Sequence, residues 1–290
     1  MLRGLTALQH RQLGVSVREH VDARGRRTPW LDLGTAREGT IVWLHGFADR
    51  PDTFLRVAPR LVDDYRIIAP AMPAFGEGWR DPDETHTLEA FGAWLHDVLD
   101  AIVVDEAHLV GNSLGGATAM AVAAQRPSWL RSLVPLNSAG VRTLDAPSVL
   151  EEFEAGQNLF EIRALEDYHG LMTRLFATPA KLPPFLDAFL FSEYARQADW
   201  FVRVTDDLSA SEERFGGEGW RAAVDLSAID VPTLVLWGDR DTLFPVSHAQ
   251  VLARQIPDAR LELIPGIGHC PHLESPGRLA TAIRRFVKTL

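Results

Sequence analysis

A single cysteine, Cys270, is all the thiol in this chain of 290 residues. No intrachain disulfide can form, and a reducing, cytoplasmic setting is the expected home. Positive charge is scarce too: 29 Lys and Arg stand against 39 Asp and Glu, a formal net charge of -10, and the bases are scattered. Gripping phosphates needs clustered cations, so nucleic acid, acidic partners and anionic membranes are not expected. Residues 1–20 carry Arg3, Arg11, Arg18 and Glu19 and lack the apolar core of a secretion signal. The longest weakly apolar run, residues 107–124, contains Asn112, Ser113 and several glycines, which argues against a membrane span.

Cofactor signatures are missing as well. There is no phosphate loop, no Gly-x-Gly-x-x-Gly and no Cys-x-x-Cys. His269-Cys270-Pro271-His272 has metal-binding residue types, but neighbours this close in sequence seldom converge on one ion. No cofactor and no metal is expected. What is present, 46% hydrophobic and 23% charged residues, describes a folded globular chain with material for one large core and an inserted subdomain.

Short apolar, β-branched runs alternate with stretches of helical spacing. Residues 40–44, 65–70, 107–110, 133–136, 233–237 and 260–264 read as strands, and residues 52–62, 88–103, 114–125, 246–255 and 276–290 as helices. Such alternation predicts an α/β fold, a mostly parallel sheet covered by helices on both faces. Residues 14–33 suggest an antiparallel pair turning at Arg24-Gly25. Between 141 and 224 the rhythm breaks: no comparable strand appears, and Phe, Leu, Tyr and Trp recur among acids. That segment reads as an inserted, mostly helical cap, the plainer alternative being more helices of the same core. The expected division is therefore core over 1–140, cap over 141–224 and core over 225–290.

The chemistry is concentrated at Gly111-Asn112-Ser113-Leu114-Gly115, a Gly-x-Ser-x-Gly between a strand and a helix. A serine on such a sharp turn projects its hydroxyl clear of the backbone, and the glycines tolerate the strained, crowded geometry. Alone the pattern arises by chance in small-residue turns, so further pieces are required. A serine hydroxyl needs an imidazole to take its proton, and the imidazole needs a carboxylate to hold its tautomer. Of ten histidines, His269 sits in the glycine-rich Gly266-Ile267-Gly268-His269 after a late strand, with His272 as the rival. Trp237-Gly238-Asp239-Arg240-Asp241 offers two carboxylates. Asp239 suits shaping of the turn, whereas Asp241 lies further into the loop and is the better placed to orient His269. Backbone amides for a developing oxyanion are expected from Leu114 and, in His45-Gly46-Phe47-Ala48, from Phe47, whose side chain would also line the substrate pocket.

Five segments in order resemble the α/β-hydrolase fold superfamily: His45-Gly46-Phe47, the turn through Met72-Pro73-Ala74-Phe75-Gly76, the serine turn, Trp237 to Asp241, and Gly268-His269-Cys270-Pro271-His272-Leu273-Glu274. The resemblance covers nearly the whole chain and implies Ser113, Asp241 and His269 as a catalytic triad, with Phe47 and Leu114 as oxyanion amides. The cap region and Leu136-Asn137-Ser138-Ala139-Gly140-Val141 look similar to capped monoacylglycerol lipases and bacterial lipases and carboxylesterases. The family turn often reads Pro-Gly-x-Gly, from which Met72-Pro73-Ala74-Phe75-Gly76 departs. What the resemblance implies is hydrolysis of small carboxylic esters with an apolar acyl or aryl group. Carbon–carbon bond hydrolases of ring-fission products are the runner-up; they share the Gly-Asn-Ser turn, but their Ser-Gly-Pro-Gly tract is missing after His45-Gly46. A perhydrolase or acyltransferase on the same triad, and a non-catalytic ligand binder, are further readings.

Overall fold

The structure, a computed structural model, describes residues 2–102, 104–144, 146–211 and 215–290. Along the chain run α1 (Leu2–Leu13), β1 (Ser16–Val21), β2 (Arg27–Gly34), β3 (Thr40–Leu44), β4 (Arg66–Pro70), α2 (Leu88–Ile102), β5 (Ala107–Asn112), α3 (Leu114–Ala123) and β6 (Leu130–Leu136). Then come β7 (Val141–Thr143), α4 (Val149–Glu154), α5 (Leu165–Leu175), α6 (Pro184–Ala195), α7 (Ala198–Ser211), β8 (Phe215–Gly217) and β9 (Trp220–Ala222). The last part holds β10 (Thr233–Gly238), α8 (Val246–Gln255), β11 (Ala259–Ile264), α9 (Pro271–Glu274) and α10 (Pro276–Val287). Val103, expected to end a helix, lies outside the described residues.

Eight strands form one sheet in the order β1-β2-β4-β3-β5-β6-β10-β11. The first two pairings are antiparallel and the rest parallel, as the alternation predicts. β3 and β5 are buried at every position, because helices or turns cover both faces of the sheet. Alternate side chains feed two cores. Val42 and Leu44 pack with α2, α3 and α8 on one side, while Ile41 and Trp43 pack with α10 on the other. α10 meets the sheet through Leu279, Ile283, Phe286 and Val287, one stripe of an amphipathic helix. α3 has no polar face: every residue from Leu114 to Ala123 is buried, and its small side chains let it press on β5 and β6.

The helix expected over residues 52–62 is instead two short 3-10 turns, Pro51–Arg56 and Ala58–Arg60. Pro59 supplies the reason: it has no N–H for the Leu55 carbonyl, and its ring clashes with the preceding turn of an α-helix. Apolar spacing survives the change, and Phe54, Leu55, Val57 and Leu61 are all buried.

Between β6 and β10 the segment is mostly helical, with α4 to α7, and it also holds three short strands the apolar pattern did not reveal. β7 pairs antiparallel with β9, and β9 with β8. Val141 opposite Ala222 joins the outgoing and returning chains, so the two ends of the segment are fastened together beside the sheet. Strands of three residues are too short to show a period of two.

Candidate active site

Five neighbouring parallel strands, β3, β5, β6, β10 and β11, end on the same side, and the loop after each carries one functional candidate. In open parallel sheets this carboxyl edge is where ligands bind. The loops bring Phe47, Ser113, Asn137, Asp241 and His269 to one place.

Ser113 sits between β5 and α3 with φ 54 and ψ -119, a conformation L-residues rarely adopt. The turn is held from several sides. Ser113 N donates to Leu136 O at 3.1 Å, and its carbonyl accepts from Gly116, Ala117 and Ala139. The flanking glycines are required by close approach: a Cβ on Gly111 would lie 2.2 Å from Gly115 O, and one on Gly115 2.4 Å from His45 O. Such strain persists where surrounding contacts over-determine it, which is common at functional sites.

His269 is fixed through ring and backbone. Its Nδ1–H donates to Asp241 Oδ2 at 2.8 Å, leaving Nε2 as the acceptor nitrogen. Its amide donates to Leu175 O at 2.9 Å, and its carbonyl accepts from Asn112 Nδ2 at 3.3 Å. Asp241 receives four donors: Leu243 N and Phe244 N on Oδ1, Asn137 Nδ2 and His269 Nδ1 on Oδ2. A buried carboxylate needs this degree of satisfaction. Asp239 does the other job foreseen for it, accepting Gly266 N at 2.6 Å and shaping the turn. Ser113 and His269 line one cavity, and among the described residues no hydrogen bond joins the serine hydroxyl to the imidazole. Hydrogen bonds of this kind are often loose without substrate.

Phe47 and Leu114 both line the same cavity, and no acceptor among the described residues takes the backbone N–H of either. Leu114 opens α3, where N–H groups have no intrahelical partner. The Phe47 loop is braced from below by His45, which donates Nδ1–H to Gly46 O at 2.9 Å and accepts Met72 N at Nε2, 3.0 Å away. Burial pushes the His45 pKa down, against the pull of Asp49 and the Gly46 bond, in keeping with this neutral tautomer. From above, the Phe47 ring packs on Phe75 at 4.7 Å and on Phe160 at 4.4 Å.

The cavity, about 210 Å³, is walled by Leu114, Val149, Phe153, Phe160, Met172, Leu190, Tyr194 and Phe244 among others. Among the described residues no Lys or Arg lines it, and Asp49 is the single carboxylate that does. Asp49 Oδ2 accepts Thr53 Oγ1 at 2.9 Å and lies 3.6 Å from His272 Nε2. Burial opposes ionisation of Asp49, but the His272 imidazole outweighs it and holds the carboxyl below its usual range. His272, the rival histidine, therefore faces Asp49 and not Asp241. Burial pushes the Cys270 thiol well up, so this cysteine is a poor nucleophile despite lining the cavity.

Three contributors carried no role in the sequence reading. Asn137 bridges β6 to the carboxylate; its only signal was a polar residue directly after an apolar strand. Glu274 accepts Gly268 N on Oε1 and Ala177 N on Oε2, both at 2.9 Å, tying the His269 loop to the end of α5. Asp49 with His272 is the third. No helix is long and apolar enough to cross a membrane, among the described residues.

This geometry agrees with the likenesses of the chain. It is 27% identical over 267 residues to Lipase 1 of Psychrobacter immobilis, covering 91% of this chain and 81% of that one. It is 26% identical over 283 residues to 2-hydroxymuconate semialdehyde hydrolase of a Pseudomonas species, covering 95% and 92%. The crystal structure of a membrane phospholipase A, described as a bacterial virulence factor, superposes with a TM-score of 0.90 at 26% identity, covering 99% of this chain and 90% of that one. The profile of the alpha/beta hydrolase fold matches residues 39–276, and with the eight-stranded sheet and its serine turn in place, the chain belongs to the α/β-hydrolase fold family.

Proposed function

We propose that the chain hydrolyses carboxylic esters with an apolar acyl or aryl group through an acyl-enzyme on Ser113. Ser113 Oγ attacks the acyl carbonyl carbon while His269 Nε2 takes its proton, and the amides of Phe47 and Leu114 hold the oxyanion. His269 returns the proton to the departing alcohol; water, deprotonated by the same nitrogen, then releases the carboxylic acid. Asp241 keeps His269 in the tautomer this needs. Residues 141–224 act as a cap, supplying the apolar walls against which an acyl chain is buried, at about 25 cal/mol per Å² of apolar surface. The observation that carries the reading is the strained Ser113 sharing one cavity with a His269 whose Nδ1–H is committed to a buried carboxylate.

The likeness to 2-hydroxymuconate semialdehyde hydrolase supports a second reading, cleavage of carbon–carbon bonds in ring-fission products. Their dienoate carboxylate would need a cation, and the cavity offers the Asp49 carboxylate instead. The lining therefore favours neutral esters.

Ser113→Ala should abolish turnover of p-nitrophenyl esters and labelling by a fluorophosphonate while circular dichroism stays unchanged. Retained turnover removes the assignment. A ring-fission dienoate run beside the esters decides between the two readings.

A further inference from the structure

Part of the cavity wall comes from two helices, with Val149, Leu150 and Phe153 on α4, and Tyr168, Met172 and Leu175 on α5. The end of α5 also touches the catalytic loops. Leu175 O accepts the amide of His269 at 2.9 Å, and Ala177 N donates to Glu274, whose other carboxylate oxygen accepts Gly268 N. The approach is so close that a Cβ on Gly268 would lie 2.6 Å from Ala177 N. Arg174, next to Leu175, does not line the cavity, yet it joins these pieces. Its Nε and Nη2 donate to Thr242 Oγ1 and Thr242 O at 3.2 and 3.0 Å, and the Thr242 hydroxyl donates back to Arg174 O at 3.1 Å. Nη1 and Nη2 also donate to Oε2 and Oε1 of Glu152 on α4, at 3.1 and 2.9 Å, a bidentate pair of fixed geometry. Thr242 stands between Asp241 and the amides of Leu243 and Phe244 that this carboxylate accepts. One guanidinium thus binds both wall helices to the loop folded round Asp241.

Resting on the ester-hydrolase reading, we propose that Arg174 is a positioning residue through which an acyl chain lying against α4 and α5 sets the Asp241–His269 pair, so that longer acyl groups raise kcat and do not merely lower KM. Contacts to the unreacting part of a substrate raise kcat only where they improve the geometry at the reacting atoms, and a misplacement of about 1 Å there costs roughly 100-fold. The route from wall to imidazole is short: α4 and α5 to Arg174, Arg174 to Thr242, and Thr242 to the loop that holds Asp241. The same imidazole serves acylation and deacylation, and the acyl chain stays in place through both, so the coupling acts on either step. An acetyl group, with one methyl beyond its carbonyl, has no chain to lay against the wall.

The experiment measures kcat and KM separately for p-nitrophenyl acetate and p-nitrophenyl octanoate. In the parent enzyme kcat should be about tenfold higher for the octanoate. In Arg174→Met, which keeps the bulk of the side chain and removes its donors, kcat for the octanoate should fall to that for the acetate, which itself changes by less than about twofold. Thr242→Val cuts the same link from the other side at nearly constant volume and should have the same effect, and the two substitutions together should do no more than either alone. Equal kcat for the two esters in the parent, or a ratio that survives both substitutions, overturns the proposal. So does a loss confined to KM, or an equal fall in kcat for both esters, which is what a purely structural tie would give. The coupling is also read without turnover, from boronic acids that add to Ser113 Oγ as tetrahedral adducts: octylboronic acid should lose about tenfold in affinity in Arg174→Met and methylboronic acid little. That pattern in a protein that hydrolyses no ester keeps the coupling and refutes the ester-hydrolase reading alone, whereas ester turnover with a flat kcat does the reverse.

Discussion

Asn137 Nδ2 donates to Asp241 Oδ2 at 2.7 Å, and that same oxygen receives Nδ1–H of His269. The asparagine also accepts Gly238 N on Oδ1 at 3.1 Å, so one side chain links the ends of two neighbouring strands to the carboxylate. Asn137→Asp replaces the donor with a second carboxylate at hydrogen-bond distance. Two such groups cannot both ionise freely, and they take up a shared proton at higher pH than either alone. We expect kcat/KM for a p-nitrophenyl ester at neutral pH to fall about 100-fold, the scale of lost acid–base assistance, with the acid limb of the pH profile moved upward. An unshifted profile would show that Asp241 does not depend on this partner.

Strain at Ser113 leads to an opposite effect on stability. A non-glycine residue in such a conformation costs about 1–3 kcal/mol, and glycine relieves it while adding roughly 0.5–1 kcal/mol of unfolded-chain entropy. Ser113→Gly should therefore raise unfolding free energy by about 1 kcal/mol in urea titration while turnover disappears. A variant less stable than the parent would mean that the hydroxyl, not the backbone, sets the balance.

Acid sensitivity should come in part from His108. Buried on β5, with Nδ1 at 2.8 Å from Oγ of Ser132 on β6, it has its pKa lowered to about 4, first by burial and then by Arg131. The unfolded chain binds this proton near the ordinary histidine pKa of about 6.5. The stabilisation is therefore complete above that pH and is lost progressively as pH falls toward 4, in total about 3 kcal/mol. His45, whose pKa is also lowered, acts with the same sign. His108→Asn, which keeps a polar partner for Ser132, should flatten the fall in urea midpoint between pH 7 and pH 5.

How much of this was legible depended on range. The strands and the serine turn were readable because apolar periodicity and a glycine-flanked serine are local signals, and Ser113, Asp241 and His269 fall on strand ends that periodicity locates. The failure at residues 52–62 was local as well: Pro59 was visible, but the apolar spacing outweighed it. Asn137, Glu274 and Asp49 were hidden for a different reason. Each acts through a partner on a distant loop, Asn137 on Asp241, Glu274 on Ala177, Asp49 on His272, and no spacing rule links such positions before the sheet order is known.

Asp49 yields the sharpest statement about selectivity. Among the described residues it is the single carboxylate lining the cavity and no Lys or Arg lines that cavity, and the His272 imidazole favours its charged form against the effect of burial. A substrate carboxylate roughly 8 Å away would be repelled by about 2 kcal/mol at an effective dielectric near 20, or roughly thirtyfold in kcat/KM. Asp49→Asn removes the charge and keeps an oxygen to accept the Thr53 hydroxyl. The discriminating pair is the monoethyl and diethyl esters of one dicarboxylic acid, which differ in a single negative charge. In the parent enzyme the diester should be the better substrate by about that factor, and in Asp49→Asn the ratio of the two kcat/KM values should approach one. The ratio also separates charge from packing, because a loss of loop geometry would slow both esters together and leave it where it was. A parent enzyme that already accepts the half-ester as well as the diester would remove the electrostatic ground for preferring neutral substrates and bring the ring-fission dienoates back to the front.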